Sequence, residues 1–246
     1  MNVVTVIRSL GPIDARNVGR DAMLRWMVLL PFVVAAAMRW LLPTIFAFVD
    51  GLIPLDLASV YAPLMGYLFL LLVPYFWGVV VGFLLLDQRD DGTLTALQVT
   101  PLSLNSYLLY RLATPVLLSA VTTMSAFPLT GLAQFRLWPL ALLALSAALH
   151  APLFALALAA LAQNKVQGLA LMKASGVVLL PPLAALFLPD ALQWPLAFLP
   201  TYWPARFYWA LADGDPAAGL YWLVSLIFQA LLLVLLARRF DRIMHR

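Results

Sequence analysis

The chain has 246 residues, 64% of them hydrophobic and 11% charged, with a net charge of +4 and no Cys. A soluble domain usually carries about 25% charged residues, so a soluble fold is excluded and the chain falls in the membrane class. Disulfide frameworks and thiol chemistry are excluded with it, as is a nucleic-acid face, because the basic residues stand at the ends of apolar runs.

Residues 1–25 open the chain. Val3, Val4, Ile7 and Leu10 repeat at helical spacing, and Gly11-Pro12 is expected to break the run. Ile13 to Arg25 follows, carrying Arg16 and Arg20. The pattern predicts an amphipathic helix along the inner membrane surface, its cations near lipid phosphates. The plainer alternative is a solvated lead-in to the first span. No uninterrupted apolar stretch precedes the first long run, so no cleavable signal peptide is expected and the N-terminus is placed in the cytoplasm.

Six runs then approach the ~20 apolar residues needed to cross a bilayer. They are Trp26 to Val49, Tyr61 to Leu86, Ser106 to Thr130, Leu137 to Leu161, Leu169 to Leu188 and Gly219 to Ala237. Spans one and two thus fill 26–86, spans three to five 106–188, and the last span with its tail 219–246. Backbone satisfaction in lipid favours helices throughout. Pro31, Pro74, Pro115, Pro128, Pro152, Pro181 and Pro182 lie inside these runs and predict bent spans. No internal repeat and no room for a soluble domain is found, so 1–246 reads as one all-α polytopic transmembrane domain.

Residues 87–105 separate spans two and three. "LLDQRDDGTLTALQVTPLS" places Asp87, Arg89, Asp90 and Asp91 within five positions. Asp87 is expected to end span two. Asp90 or Asp91 can cap a new helix by accepting its free N–H groups, and Gly92 allows a sharp turn. Leu94 and Leu97 share one face, and Thr100-Pro101 stops the helix. A short helix or an ordinary connecting turn fits this pattern. Residues 189–218 hold Trp194, Phe198, Tyr202, Trp203, Phe207, Tyr208 and Trp209. Amphipathic rings settle at the membrane boundary, so this loop is expected to form short helices half-buried in the outer leaflet.

Orientation follows from the cations. With six spans and the N-terminus inside, twelve Lys and Arg collect on one face and three, Arg39, Arg136 and Arg206, on the other. The rule that cytoplasmic loops are basic then puts both termini in the cytoplasm. Few polar groups lie deep in the spans. His150 is a pathway residue or a donor to a neighbour's carbonyl. Gln229 can hydrogen-bond across helices, worth on the order of 0.6 kcal/mol. Thr122 and Thr123, with Ser119 and Ser125, polarise span three, where hydroxyls commonly bond back to their own helix. Arg39, about 20 Å into span one at 1.5 Å per residue, can snorkel outward beside Trp40, bind a lipid phosphate or face a water-filled vestibule.

The loop at Asp87 and Asp90, Gly92-Thr93-Leu94 and Thr100-Pro101-Leu102-Ser103 resembles the intracellular loop of type-2 ABC exporter permeases. The N-terminal "IDARNVGRDAMLRW" and the "PTYWPARFYWALADGD" run before the last span extend the resemblance over most of the chain. The pattern is similar to that of compact bacterial permeases with small outer loops, some of the fluoroquinolone or multidrug export type. The resemblance implies a type-2 ABC exporter fold in a bacterial inner membrane. The loop would be a coupling helix, docking on a separate ATPase subunit present in two copies through Asp87, Arg89, Asp90, Asp91, Gly92, Thr93, Leu94 and Leu97. The N-terminal helix would brace the same subunit with Arg16 and Arg20. A second permease copy or a homologous permease would complete the pathway, with His150, Thr122, Thr123 and Gln229 as pathway candidates. Cargo would be hydrophobic or amphiphilic. No cofactor is expected on the chain, with ATP and Mg on the partner, because no G-x-x-x-x-G-K-[ST] run occurs; "GLALMK" at Gly168–Lys173 lacks the second Gly. No catalytic residue or metal site is assigned. The competing readings are an ion-coupled carrier, which needs mid-span carboxylate pairs, and a membrane scaffold. An intramembrane enzyme lacks both the G-x-S-x-G and the H-E-x-x-H signature.

Overall fold

A computed structural model describes residues 3–52, 57–91 and 104–244, and these are helical apart from short connections. Among the described residues, six stretches are long and apolar enough to cross a membrane: Ala22–Asp50, Ser59–Asp90, Leu109–Thr130, Leu137–Leu161, Lys165–Ala185 and Ala218–Arg239. The chain is a multi-pass, all-helical membrane protein.

Helix α1 (Val3–Arg20) runs straight through Gly11-Pro12, where the sequence predicts a break. An internal proline forfeits a backbone hydrogen bond and costs about 3 kcal/mol. Tertiary contacts of the next turn, described below for Asp14, hold the helix together. The first span begins at Ala22, earlier than the expected Trp26, because Asp21 caps it. Its carboxylate accepts from the backbone N–H groups of Met23 and Leu24 at 2.9 and 3.2 Å. An Asp just ahead of an apolar run is a helix-start signal, and it was legible in the sequence.

That span is α2 (Ala22–Ala36), a π-helical turn over Ala37–Leu41, and α3 (Leu42–Asp50). The π turn holds Arg39, whose guanidinium carbon lies 5.8 Å from the Trp40 ring centre. A π turn inserts an extra residue per turn and re-aims side chains. Tyr61 fastens it by donating to the Met38 carbonyl.

The central post is α4 (Leu57–Asp90), which contacts α2 and most of the later helices. It runs to Asp90, past the expected end at Leu86. Opposite it, the fourth span is two helices, α6 (Leu137–Ala148) and α7 (His150–Leu161), broken at Leu149. Pro152 explains the break: it lacks the N–H that would bond residue 148 and its ring crowds that carbonyl. Span two meets span four through small residues. Gly78 and Gly82 form a G-x-x-x-G step on α4, facing Ala151 and Ala155 on α7. A Cβ at Gly78 would stand 2.5 Å from the Ala151 carbonyl oxygen. Such stripes let helix backbones approach in a bilayer, where packing rather than the hydrophobic effect joins helices.

Between these lies α5 (Leu104–Thr130). The fifth span starts with α8 (Lys165–Ser175), four residues before the expected Leu169, because Asn164 caps it by accepting from Gln167 N–H at 3.0 Å. A 3-10 turn over Gly176–Leu179 and α9 (Pro181–Ala185) complete it. Then come α10 (Tyr202–Asp213) and α11 (Ala218–Met244).

The aromatic run of α10 departs from the expected boundary belt. Tyr202, Phe207, Tyr208 and Trp209 are buried in the protein, whereas Trp194 and Phe198 are exposed. The Tyr208 hydroxyl donates to the Ala62 carbonyl and Trp209 Nε1 to that of Pro63, both at 3.0 Å. The rings turn inward because their polar tips find carbonyls at the start of α4, where buried donors need partners. At the opposite end, Leu10 of α1 and Leu236 of α11 pack on one small cluster around Tyr107 and Leu85. The two terminal helices therefore meet at the same end of the bundle.

Candidate functional site

That shared end carries most of the internal charge. Three consecutive residues in the last turn of α4 each reach a different helix. Asp87 pairs with Lys165 at the start of α8, 3.2 Å apart. Gln88 accepts from the Tyr107 hydroxyl of α5 at 2.7 Å. Arg89 donates to the carbonyls of Ala159 and Ala162 at the end of α7, at 3.0 and 2.7 Å. Each contact has a local cause. A carboxylate at a helix C-terminus and an ammonium at a helix N-terminus each oppose the macrodipole, so Asp87 and Lys165 neutralise one another. Arg89 satisfies C-terminal carbonyls that no intrahelical donor reaches.

Lys165 also bonds Asp21 at 3.2 Å, which brings the cap of span one into the cluster. The Asp21 carboxyl sits below its ordinary 3.8. Its burial works the other way, but hydrogen bonds from Leu24 N–H, Lys165 and Met23 N–H outweigh it. Its contribution to stability is therefore complete above 3.8 and is lost as pH falls through the lower folded value. In detergent, Asp21→Ala should cost about 1 kcal/mol at neutral pH, while Asp21→Asn should keep most of the cap. The wild-type and Ala melting temperatures should converge on acidification below that value; a gap that persists there refutes the assignment.

A second network lies one layer in. Arg111 of α5 forks onto Asp14 of α1 at 2.6 and 3.2 Å, and the Tyr110 hydroxyl donates to the same carboxylate at 2.8 Å. The side chains of this pair are only 2% and 11% exposed. Arg111 Nε donates to the Tyr107 hydroxyl at 3.3 Å, and that hydroxyl continues to Gln88. Burial holds the Tyr107 phenol above its ordinary range, so it stays protonated and can bridge the two. Asp14, Arg111, Tyr107 and Gln88 thus chain α1 to α5 to the tip of α4. The sequence offered Asp14, Tyr107 and Tyr110 only as isolated polar residues, and Arg111 and Lys165 only as topology markers.

Of the expected ATPase-contacting residues, Asp87 and Arg89 belong to this cluster, and Asp90 and Asp91 are exposed at the helix tip. Arg16 and Arg20 are exposed on α1 and make no ion pair among the described residues. Gly92, Thr93, Leu94 and Leu97, with the proposed short helix, lie outside the described residues. The pathway candidates Thr122, Thr123, His150 and Gln229 lie inside the bundle. Thr122 accepts from Trp77 Nε1 at 2.9 Å, and Thr123 is fully buried. His150 Nε2 donates to the Pro200 carbonyl at 2.9 Å, tying the break in span four to the segment before α10. Gln229 donates to the Ser146 carbonyl and to Ser225 Oγ at 2.9 and 2.8 Å, joining α11 to α6. All four are buried within a single copy of the chain.

A family model described as "Fluoroquinolones export permease protein Rv2686c-like" matches residues 14–237. The chain is 32% identical over 221 residues to the fluoroquinolones export permease proteins MT2760 and Rv2686c, from Mycobacterium tuberculosis strains CDC 1551 / Oshkosh and ATCC 25618 / H37Rv. The match covers 88% of this chain and 85% of each relative.

Proposed function

Because the chain belongs to the Rv2686c-like family of fluoroquinolones export permease proteins, we propose that it is the permease subunit of an ATP-driven exporter of hydrophobic or amphiphilic compounds. ATP is hydrolysed on a separate ATPase subunit in two copies. A second permease, identical or homologous, completes the pathway in a bacterial cytoplasmic membrane, with both termini in the cytoplasm.

The observation that carries this reading is the threefold fastening of α4 at Asp87, Gln88 and Arg89, directly ahead of 92–103. An ATPase docked on that loop pushes on a helix end gripped by spans three, four and five. Closing of the ATPase dimer then tilts the bundle as a block, the rigid-body mode common among coupled switches. The exposed arginines of α1 meet the same subunit, and α1 follows span three through Asp14 and Arg111. His150, Thr122, Thr123 and Gln229 are buried within one copy; in this reading they hold that copy together while cargo passes over other residues.

The direct test is purification from the native membrane. A stoichiometric ATPase should co-purify, and its absence would remove the reading. Asp90→Lys and Gly92→Trp should leave assembly and basal hydrolysis intact but abolish ATP-driven export in inverted vesicles. Normal export by both variants would refute coupling through this loop.

A further inference from the structure

We propose that the open cavity between α1, α2, α4 and α5 binds an amphiphile whose polar end pairs a hydrogen-bond donor with an acceptor and carries no net charge, such as a zwitterionic acid. As a cargo site it rests on the export reading above; as a binding site it stands on its own geometry.

The cavity measures about 530 Å³, within the ~300–1,000 Å³ typical of small-molecule sites. Val28, Trp77, Val80, Val81 and Leu84 make one apolar wall, and Leu117 another. Asp14, Arg111 and Thr114 form its polar end. Apolar walls around a few fixed polar groups are the ordinary makeup of a small-molecule site.

The polar end still has capacity. Of the five N–H donors of a guanidinium, Arg111 spends Nε on Tyr107 and one each from Nη1 and Nη2 on Asp14. Two remain unengaged among the described residues. Asp14 Oδ2 receives both Tyr110 and Arg111, but Oδ1 receives Arg111 alone. A ligand can therefore offer an acceptor to Arg111 and a donor to Asp14 without breaking the pair. Two opposite charges held this close also set the selectivity. A net anion is repelled by Asp14 as it is drawn to Arg111, and a net cation the reverse. An end bearing both signs, or a neutral donor–acceptor pair, meets neither penalty.

The rim is open. Ala15 and Leu117 line the cavity and are exposed, the latter 64%. The mouth thus lies between α1 and span three, where a membrane-dissolved molecule enters sideways. The pair that would grip its polar end is linked through Tyr107 to Gln88, so occupancy bears on the helix tip that faces the loop.

The probe is norfloxacin, a fluorescent zwitterionic quinolone acid, titrated against the full chain in phosphatidylcholine nanodiscs. Binding should saturate in the wild type. Ala15→Trp, which fills the mouth from an exposed position, should weaken it about tenfold or more at unchanged melting temperature, a change of about 1.4 kcal/mol. The ethyl ester of norfloxacin, a net cation, should bind about tenfold more weakly than the parent acid. Undiminished binding by Ala15→Trp, or an ester that binds as well as the acid, overturns the proposal. So does mass spectrometry showing a phospholipid held by the wild type, lost from Ala15→Trp and not displaced by norfloxacin: the cavity is then a lipid site. ATP-driven norfloxacin uptake into inverted vesicles separates the two readings. Equal uptake by wild type and Ala15→Trp sinks the cavity as a cargo site and leaves export standing. Saturable, Trp-sensitive binding without ATP-driven uptake supports the cavity and sinks the export reading.

Discussion

Replacing Asp14 with Ala should unfold the protein more readily than any change on its outer surface. The substitution strands the Arg111 guanidinium, 2% exposed, without its carboxylate, and leaves the Tyr110 hydroxyl without its acceptor. Breaking a buried pair by removing one partner costs about 3–5 kcal/mol, against a total stability of roughly 5–15 kcal/mol for a typical domain. Thermal and denaturant unfolding in detergent, followed by size exclusion, should show a loss of that size. Removing both charges at once is a different experiment, because apolar replacement of a whole buried pair is often neutral. Asp14→Leu combined with Arg111→Met should therefore recover most of the loss. A single variant as stable as wild type, or a double variant worse than the single, would show that the pair does not hold α1 to the bundle.

The second large effect is steric. Gly78→Ala places its new methyl 2.5 Å from the Ala151 carbonyl oxygen and 2.7 Å from Phe154 Cβ. The nearest atom is backbone and cannot rotate away, so α4 and α7 must part. Overpacking of this kind costs about 1–3 kcal/mol, and the separation also strips contacts along the seam. Gly82→Ala should cost less, because its closest neighbour, at 2.8 Å, is Leu158 Cδ2, the mobile end of a side chain. Gly219→Ala has nothing within 4 Å inside α11; it should be neutral or gain about 0.4–1 kcal/mol by restricting the unfolded chain. Melting temperatures should fall in the order 219, 82, 78. A tolerant Gly78 would mean that the two spans do not touch there.

The sequence carried the six spans because their signal is a long run of apolar residues, which needs no partner to be read. It also carried the break in span four, since Pro152 acts on the carbonyl four residues before it. Two other local signals were present but unread. Asp21 stands where a helix cap belongs, and Gly78 and Gly82 stand four apart. The run through Gly11-Pro12 was not legible, since it depends on Asp14 meeting residues 96 and 97 positions away. For the same reason, Asp87 looked like a span terminator, although Lys165 lies 78 positions off. The inward turn of Tyr208 and Trp209 depends on carbonyls 146 residues earlier. Composition reports solvent, and local spacing reports helix ends; neither reports which distant element a polar tip will meet.

The tip of α4 constrains what kind of movement can leave the loop. Consecutive helical residues project about 100° apart at 3.6 residues per turn. Asp87, Gln88 and Arg89 therefore grip partners on three separate sides of one axle. Torque about that axis would tear at least one grip, whereas a push along it or a sideways swing carries every partner along. If the proposed ATPase docks beneath this helix, it has to work as a piston or a lever, because a crank would spin against its own moorings.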